Sequence, residues 1–171
     1  RSQPVAGYGG FMYRALTTIG SSYLVALSPD RPSGVDHDVT IIDRTNINNL
    51  VKVSELPIPN FDPVDGIVDG TTLYVVGGDG GLAIVDVTNP FTPVLKTVFD
   101  TPGNSRGIAV SGPNEVVVAD STTLTFIDVT DKTHPVVTGK QKLDGSITDV
   151  DVNGKTLWVG ADTYVHSIIR P

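Results

Sequence analysis

The sequence predicts an all-β fold made of four copies of one four-stranded antiparallel unit. Three observations carry that expectation. "LAIVDVTNPFTPV" at residues 82–94 overlays "LTFIDVTDKTHPV" at residues 124–136 without a gap. The chain divides into short β-branched runs bounded by Gly, Pro, Asn and Asp, the pattern of strands joined by turns. No stretch of about ten residues keeps the apolar spacing of a helix.

Two anchors fix the period. "TIID" ends at Asp43, "AIVD" at Asp86, "TFID" at Asp128 and "SIIR" at Arg170, with spacings of 43, 42 and 42. Leu24, Leu73, Val116 and Leu157 each open an apolar run after a turn, with spacings of 49, 43 and 41. The extra length of the first interval falls in "SPDRPSGVDHD", which reads as a loop insertion. Four strands recurring every 40 to 45 residues describe the blade of a β-propeller.

The elements follow in order, with strands A to D counted outward from the ring axis. The first unit spans residues 12–55, with A from Tyr13, B from Ser22, C ending at Asp43 and D from Leu50. The second, residues 63–99, reads "VDGIVD", "TLYVV", "LAIVDV" and "PVLKTVF". The third spans residues 105–142 and the fourth residues 147–170, where the chain runs out after strand C. "QPVAGY" at residues 3–8 reads like "TPVLKT" and "HPVVTG", so it is expected to supply the missing strand by pairing with residues 164–169. That would remove an exposed sheet edge and close a single four-bladed ring. Two other arrangements use the same residues: an eight-bladed ring of two chains, and a longer array.

Smaller expectations attach to single positions. Asp69-Gly70 and Asn153-Gly154 favour tight hairpin turns with both central residues at positive φ. The recurring Asp86 and Asp128 suit turns in which a carboxylate accepts backbone N–H groups. Trp158 lies in an apolar run and is expected in the core between blades. His166 aligns with Leu82 and Leu124.

"LAIVDVTNPFTPV" followed by "DTPGNSRGIAVSG" resembles the LVIVD repeat, a relative of YVTN-type propeller repeats. The resemblance runs over essentially the whole chain and is closest in the second and third units. "IIDRTNINNLV" in the first lacks the proline, and the fourth has Arg170 in place of the aspartate. The resemblance implies a propeller and an extracellular, cell-surface or periplasmic setting in bacteria or archaea. It implies no single activity.

Composition narrows the function classes. A net charge of −7 over 171 residues argues against nucleic acid, whose binders need a basic footprint, and against anionic lipid. No apolar run approaches bilayer length, so no membrane insertion is expected. With no cysteine in the chain, thiolate catalysis and thiolate metal sites are excluded. No motif calls for a cofactor.

Chemical motifs are weak. Residues 103–107 fit G-x-S-x-G, but strand, turn and strand follow Ser105 where a nucleophile elbow needs a helix. Gly-rich residues 77–81 have neither a helix nor a lysine after them to hold phosphate. Asp36, His37 and Asp38, with Asp30 nearby, are weak metal candidates, because neighbours in an extended stretch point to opposite faces. The expected function is therefore a non-enzymatic interaction or structural module that binds a protein partner or assembles with itself. The expected partner-facing residues are Asp30, Arg31, Asp36 and Asp38 of the long loop, with Phe11, Phe61 and Arg106 beside it. One alternative is a lactonase- or hydrolase-type propeller using a divalent ion, and another is a glycan-binding propeller.

The scattered histidines predict no tight divalent site. Adding calcium, zinc or a chelator should move Tm by no more than about 1 °C, since a ligand stabilises only as it binds the folded state. A large calcium-dependent rise would revive the metal-using alternative.

Overall fold

The computed structural model describes residues 13–29 and 39–169. Four antiparallel sheets follow one another along the chain. The first holds β1 (Ala15–Ile19), β2 (Tyr23–Leu27), β3 (Val39–Asp43) and β4 (Val51–Leu56), in that spatial order. The second holds β5 (Asp65–Asp69), β6 (Thr72–Val76), β7 (Leu82–Asp86) and β8 (Val94–Phe99). The third holds β9 (Ser105–Gly112), β10 (Glu115–Asp120), β11 (Thr123–Asp128) and β12 (Val136–Lys142). The fourth holds β13 (Ile147–Asn153), β14 (Thr156–Ala161) and β15 (Tyr164–Ile169). Each sheet is a meander and corresponds to one repeat. The pairing expected for residues 3–8 lies outside the described residues.

The four innermost strands, β1, β5, β9 and β13, lie side by side in that order. Small residues permit the approach. A Cβ on Gly66 would stand 2.6 Å from Leu27 Cδ1, and one on Gly107 would stand 3.0 Å from Asp149 Cα. Glycine in a strand interior marks such close approaches.

The core consists of three seams between consecutive blades. Val25, Leu27, Val39 and Ile41 of the first blade pack against Leu73, Val75, Ala83 and Val85 of the second. Tyr74, Val76, Leu82 and Ile84 meet Val116, Val118 and Ile127. Ala109, Val117 and Leu124 meet Val150, Leu157 and Val159. Strands β6 and β7 serve a seam on each face, so "LYVV" and "LAIV" are buried throughout. Outer strands β8 and β12 bury alternate residues only.

The repeated aspartate shapes the corner between strands C and D. Asp43, Asp86 and Asp128 each accept the N–H two residues on, from Thr45 (2.8 Å), Thr88 (3.0 Å) and Thr130 (2.7 Å). Asn46, Asn89 and Asp131 then do the same for Asn48, Phe91 and Thr133. Two successive side-chain turns reverse the chain in about six residues. Each C–D pair also carries an irregularity at the same place, Ile41/Ile42, Ile84/Val85 and Phe126/Ile127.

Several sequence expectations need correction. At the A–B turns, Gly70 and Gly154 have positive φ and the residues after them do not, so glycine fills the first central position alone. The fourth blade is out of step with the aspartate anchor. Ile169 pairs with Thr156 as Asp86 pairs with Thr72 and Asp128 with Glu115, so Ile169 holds the aspartate's place instead of Arg170. His166 consequently sits opposite Val159, in the position of Ala83 and Thr125, and Val165 takes the place of Leu82 and Leu124. Trp158 is about half exposed, on the face of the fourth blade turned away from the third.

Phe61 is the other reversal. It was expected on a rim, yet it is buried against Gly77 and Gly80, where a Cβ would come within 2.5 and 2.8 Å of its ring. It plugs the end of the first seam and is not presented to a partner. Phe61→Ala should cost about 3–5 kcal/mol in urea unfolding, the range for emptying an aromatic core site. A loss below about 1 kcal/mol would place the ring on the surface.

Asp86 yields a pH test. Hydrogen bonds from the Thr88 side chain and N–H, then Lys96 at 3.0 Å, hold its carboxyl at about 2. A depressed acid stabilises the fold above its ordinary pKa and loses that contribution as pH falls through the folded value. Asp86→Asn should therefore melt below wild type at neutral pH, with the gap closing as pH falls from 3.8 towards about 2. A gap independent of pH would contradict this.

Candidate interaction surface

The D–A and B–C loops share one end of the molecule, and their polar groups brace each other. Gly78 and Ser105 exchange backbone hydrogen bonds of 3.1 and 2.9 Å, tying the second blade's B–C turn to the start of β9. Asn104 donates to Asp79 Oδ1 (2.9 Å), and Ser121 Oγ accepts its N–H (2.9 Å). Arg14 pairs with Asp62 at 2.8 Å. Ser146 N–H donates to Asp162 Oδ2 (3.1 Å).

Beneath this rim lies a buried polar network. Thr101 and Ser105 share a hydrogen bond of 2.7 Å, and the Asp120 carboxylate accepts from Ser105 (3.3 Å) and Thr125 (3.5 Å). Burial raises the Asp120 pKa, while its hydroxyl donors oppose the shift. Ser105 is fully buried at the first position of a strand, and among the described residues its hydroxyl bonds Thr101 and Asp120. The network fastens loop 100–104 onto the third blade.

Asp65 on β5 and Asp149 on β13 stand on either side of β9. Asp65 Oδ2 accepts the Ile108 N–H (3.2 Å), and Asp149 Oδ1 accepts the N–H of Val150 (2.9 Å). Burial raises the Asp65 pKa, with the Asp149 charge adding to it. Among the described residues no group of three or more His, Asp or Glu side chains converges in a metal-binding arrangement.

Of the partner-facing residues expected from sequence, Arg106 is exposed on this rim, its Nε 3.4 Å from Asn104 Oδ1. Phe61 is buried. Phe11, Asp30, Arg31, Asp36, His37 and Asp38 lie outside the described residues.

The more distinctive surface is one that sequence reasoning missed, the outer face of the fourth blade. Trp158 is 47% exposed and Val165 73% exposed. Strand register equates Trp158 with Val25, Tyr74 and Val117, and Val165 with Val39, Leu82 and Leu124. All six of those residues are buried in seams. Ile169 extends the face outward, and Asp149 and Asp151 line its inner edge. The signal present in the sequence was Trp158 itself, an indole where the other repeats carry Val25, Tyr74 and Val117.

Comparisons with known proteins agree with this architecture. Residues 67–101 and 102–141 match the LVIVD repeat. No curated protein matches the sequence. The fold is similar to the computationally designed Ika4 protein, with a TM-score of 0.70 and 13% identity, over 97% of this chain and 95% of that one. It is similar to a protein from Lactobacillus plantarum (TM-score 0.75, 12% identity), covering 93% of this chain and 52% of that one. The β-propeller domain of Cps50 (Swd1) from Myceliophteria thermophila gives a TM-score of 0.71 at 15% identity, again with 93% and 52% covered. The chain thus spans about half the length of these last two proteins. With their period, their aspartate corners and their blade-on-blade seams, residues 67–141 are two LVIVD repeats, and the chain has the blade architecture of a β-propeller.

Proposed function

We propose that this chain is a non-catalytic β-propeller module that works by binding protein, as a subunit of an assembly outside the cytoplasm. The observation that supports it is the outer face of the fourth blade, where Trp158 and Val165 stand exposed at positions that the other three blades bury. An exposed apolar patch rimmed by polar residues, here Asp149, Asp151 and Ser167, is the usual character of a protein-binding surface. The rim at the loop end suits a scaffold. Its side chains are engaged with one another, and among the described residues its buried serine is bonded to Thr101 and Asp120. The extracellular, cell-surface or periplasmic setting rests on the family resemblance.

A photo-crosslinker at position 165, introduced in the cells that make the protein, tests the reading. Irradiation should join the chain to protein, either a second copy or another species, and a crosslinker on the exposed Lys155 side should do so far less. The purified chain should turn over no lactone or ester above buffer, with or without divalent ions. Ion-dependent turnover with no crosslink at position 165 would overturn the proposal.

A further inference from the structure

We infer that the partner of the fourth blade's open face is the first blade of a second copy of this chain, so that two chains close one ring. The inference rests on the interaction reading above and names its partner. The first blade has a matching open margin. Leu16 is 63% exposed, whereas Ile108 and Val150, which hold its place in the third and fourth blades, are buried in seams. Ile47 is exposed at the corner position held by Pro90 and Lys132. Those two reach back across their seams. Pro90 O accepts the Ser54 hydroxyl (2.6 Å), and Lys132 bonds the Tyr74 hydroxyl and lies 5.1 Å over its ring.

Arg44 completes the margin. Its N–H donates to Ser22 O just as those of Val87 and Val129 donate to Thr71 and Asn114. Val87 and Val129 are buried in the first two seams, so the first blade carries a cation where its neighbours carry an apolar seam residue. Its Nη2 donates to Gly20 O (3.2 Å), and its buried Nε has no partner among the described residues. The fourth blade supplies a complement. Trp158 holds Tyr74's place, and Asp151 pairs with it in register. With the corner placed as that of Lys132 is against Tyr74, Arg44 and Ile47 meet the Trp158–Asp151 edge. That margin sets one cation against one carboxylate and an indole ring. Ala26, Thr40 and Ile42, further up the first blade's face, are out of solvent within one chain, so contact falls on the inner and lower margin.

The choice of a second copy over self-closure follows from curvature. The described residues show no apolar cluster joining the fourth blade to the first. The same four blades superpose on 52% of a solved β-propeller domain and on 95% of the designed Ika4 protein; on the first comparison they describe about half a ring. The two open faces of a half ring point the same way, so each can meet the opposite end of a second half. A head-to-tail contact then closes after two copies, with two identical seams.

Sedimentation of the 171-residue chain should give twice its mass of 18.0 kDa. Trp158→Glu and Leu16→Glu should each weaken the dimer roughly tenfold or more, with unchanged circular dichroism. Mixing the two variants should restore dimers, because one of the two seams in the mixed ring is then wild type on both sides. If either variant fails to fold, the exchange Arg44→Asp with Asp151→Arg replaces it: each single change should weaken association and the pair should restore it. A monomer at all concentrations, open-ended oligomers, or a dimer indifferent to Leu16→Glu would each overturn the two-chain ring. A monomer that still crosslinks at position 165 would overturn the ring and leave the interaction reading standing.

Discussion

A four-stranded blade has two apolar faces and can cover neither alone. Everything else in this chain depends on that constraint. Blades must stack, and each seam uses the forward face of one and the backward face of the next. Burying a Val or Leu side chain contributes about 1.5–3 kcal/mol, so a seam of eight or so such residues far outweighs any single turn or ion pair in holding consecutive blades together. Stability is then close to a sum over neighbours, and the end blades of an array are left with a face to cover.

The polar residues serve this stacking. The aspartate corners reverse the chain between strands C and D, and the corner of each later blade touches the blade before it. Phe91 meets Tyr23 edge-on at 6.1 Å, and Lys132 lies over Tyr74. At the other end, loop 100–104 is held by Asp120 below and by Asp79 beside it. Ser105 gains its place from this bracing, which accounts for a G-x-S-x-G string with no catalytic setting.

Much of this was legible in the sequence because the constraint repeats. The period, the strand starts to within about two residues, and the role of the recurring aspartates all follow from comparing units. What a one-dimensional comparison lacks is the neighbour. Phe61 looks like a loop aromatic until Gly77 and Gly80, from a different hairpin, are seen to vacate the space it fills. Trp158 looks like core because the same position is core in three other blades, and its exposure depends on whether a further blade stands beside it. The fourth blade's register was set by its B strand, spaced 41 residues from the third, while the aspartate anchor pointed one residue too far to Arg170.

Trp158 is the only tryptophan in the chain, so its fluorescence reports the open face directly. Acrylamide quenching across a dilution series measures the central claim, that this face is uncovered in one chain and covered by another. Strong quenching in the most dilute samples, giving way to protection as concentration rises, is the expected result. A tryptophan protected at every concentration would mean that the chain covers its own last blade, and one quenched at every concentration would mean that no second copy does.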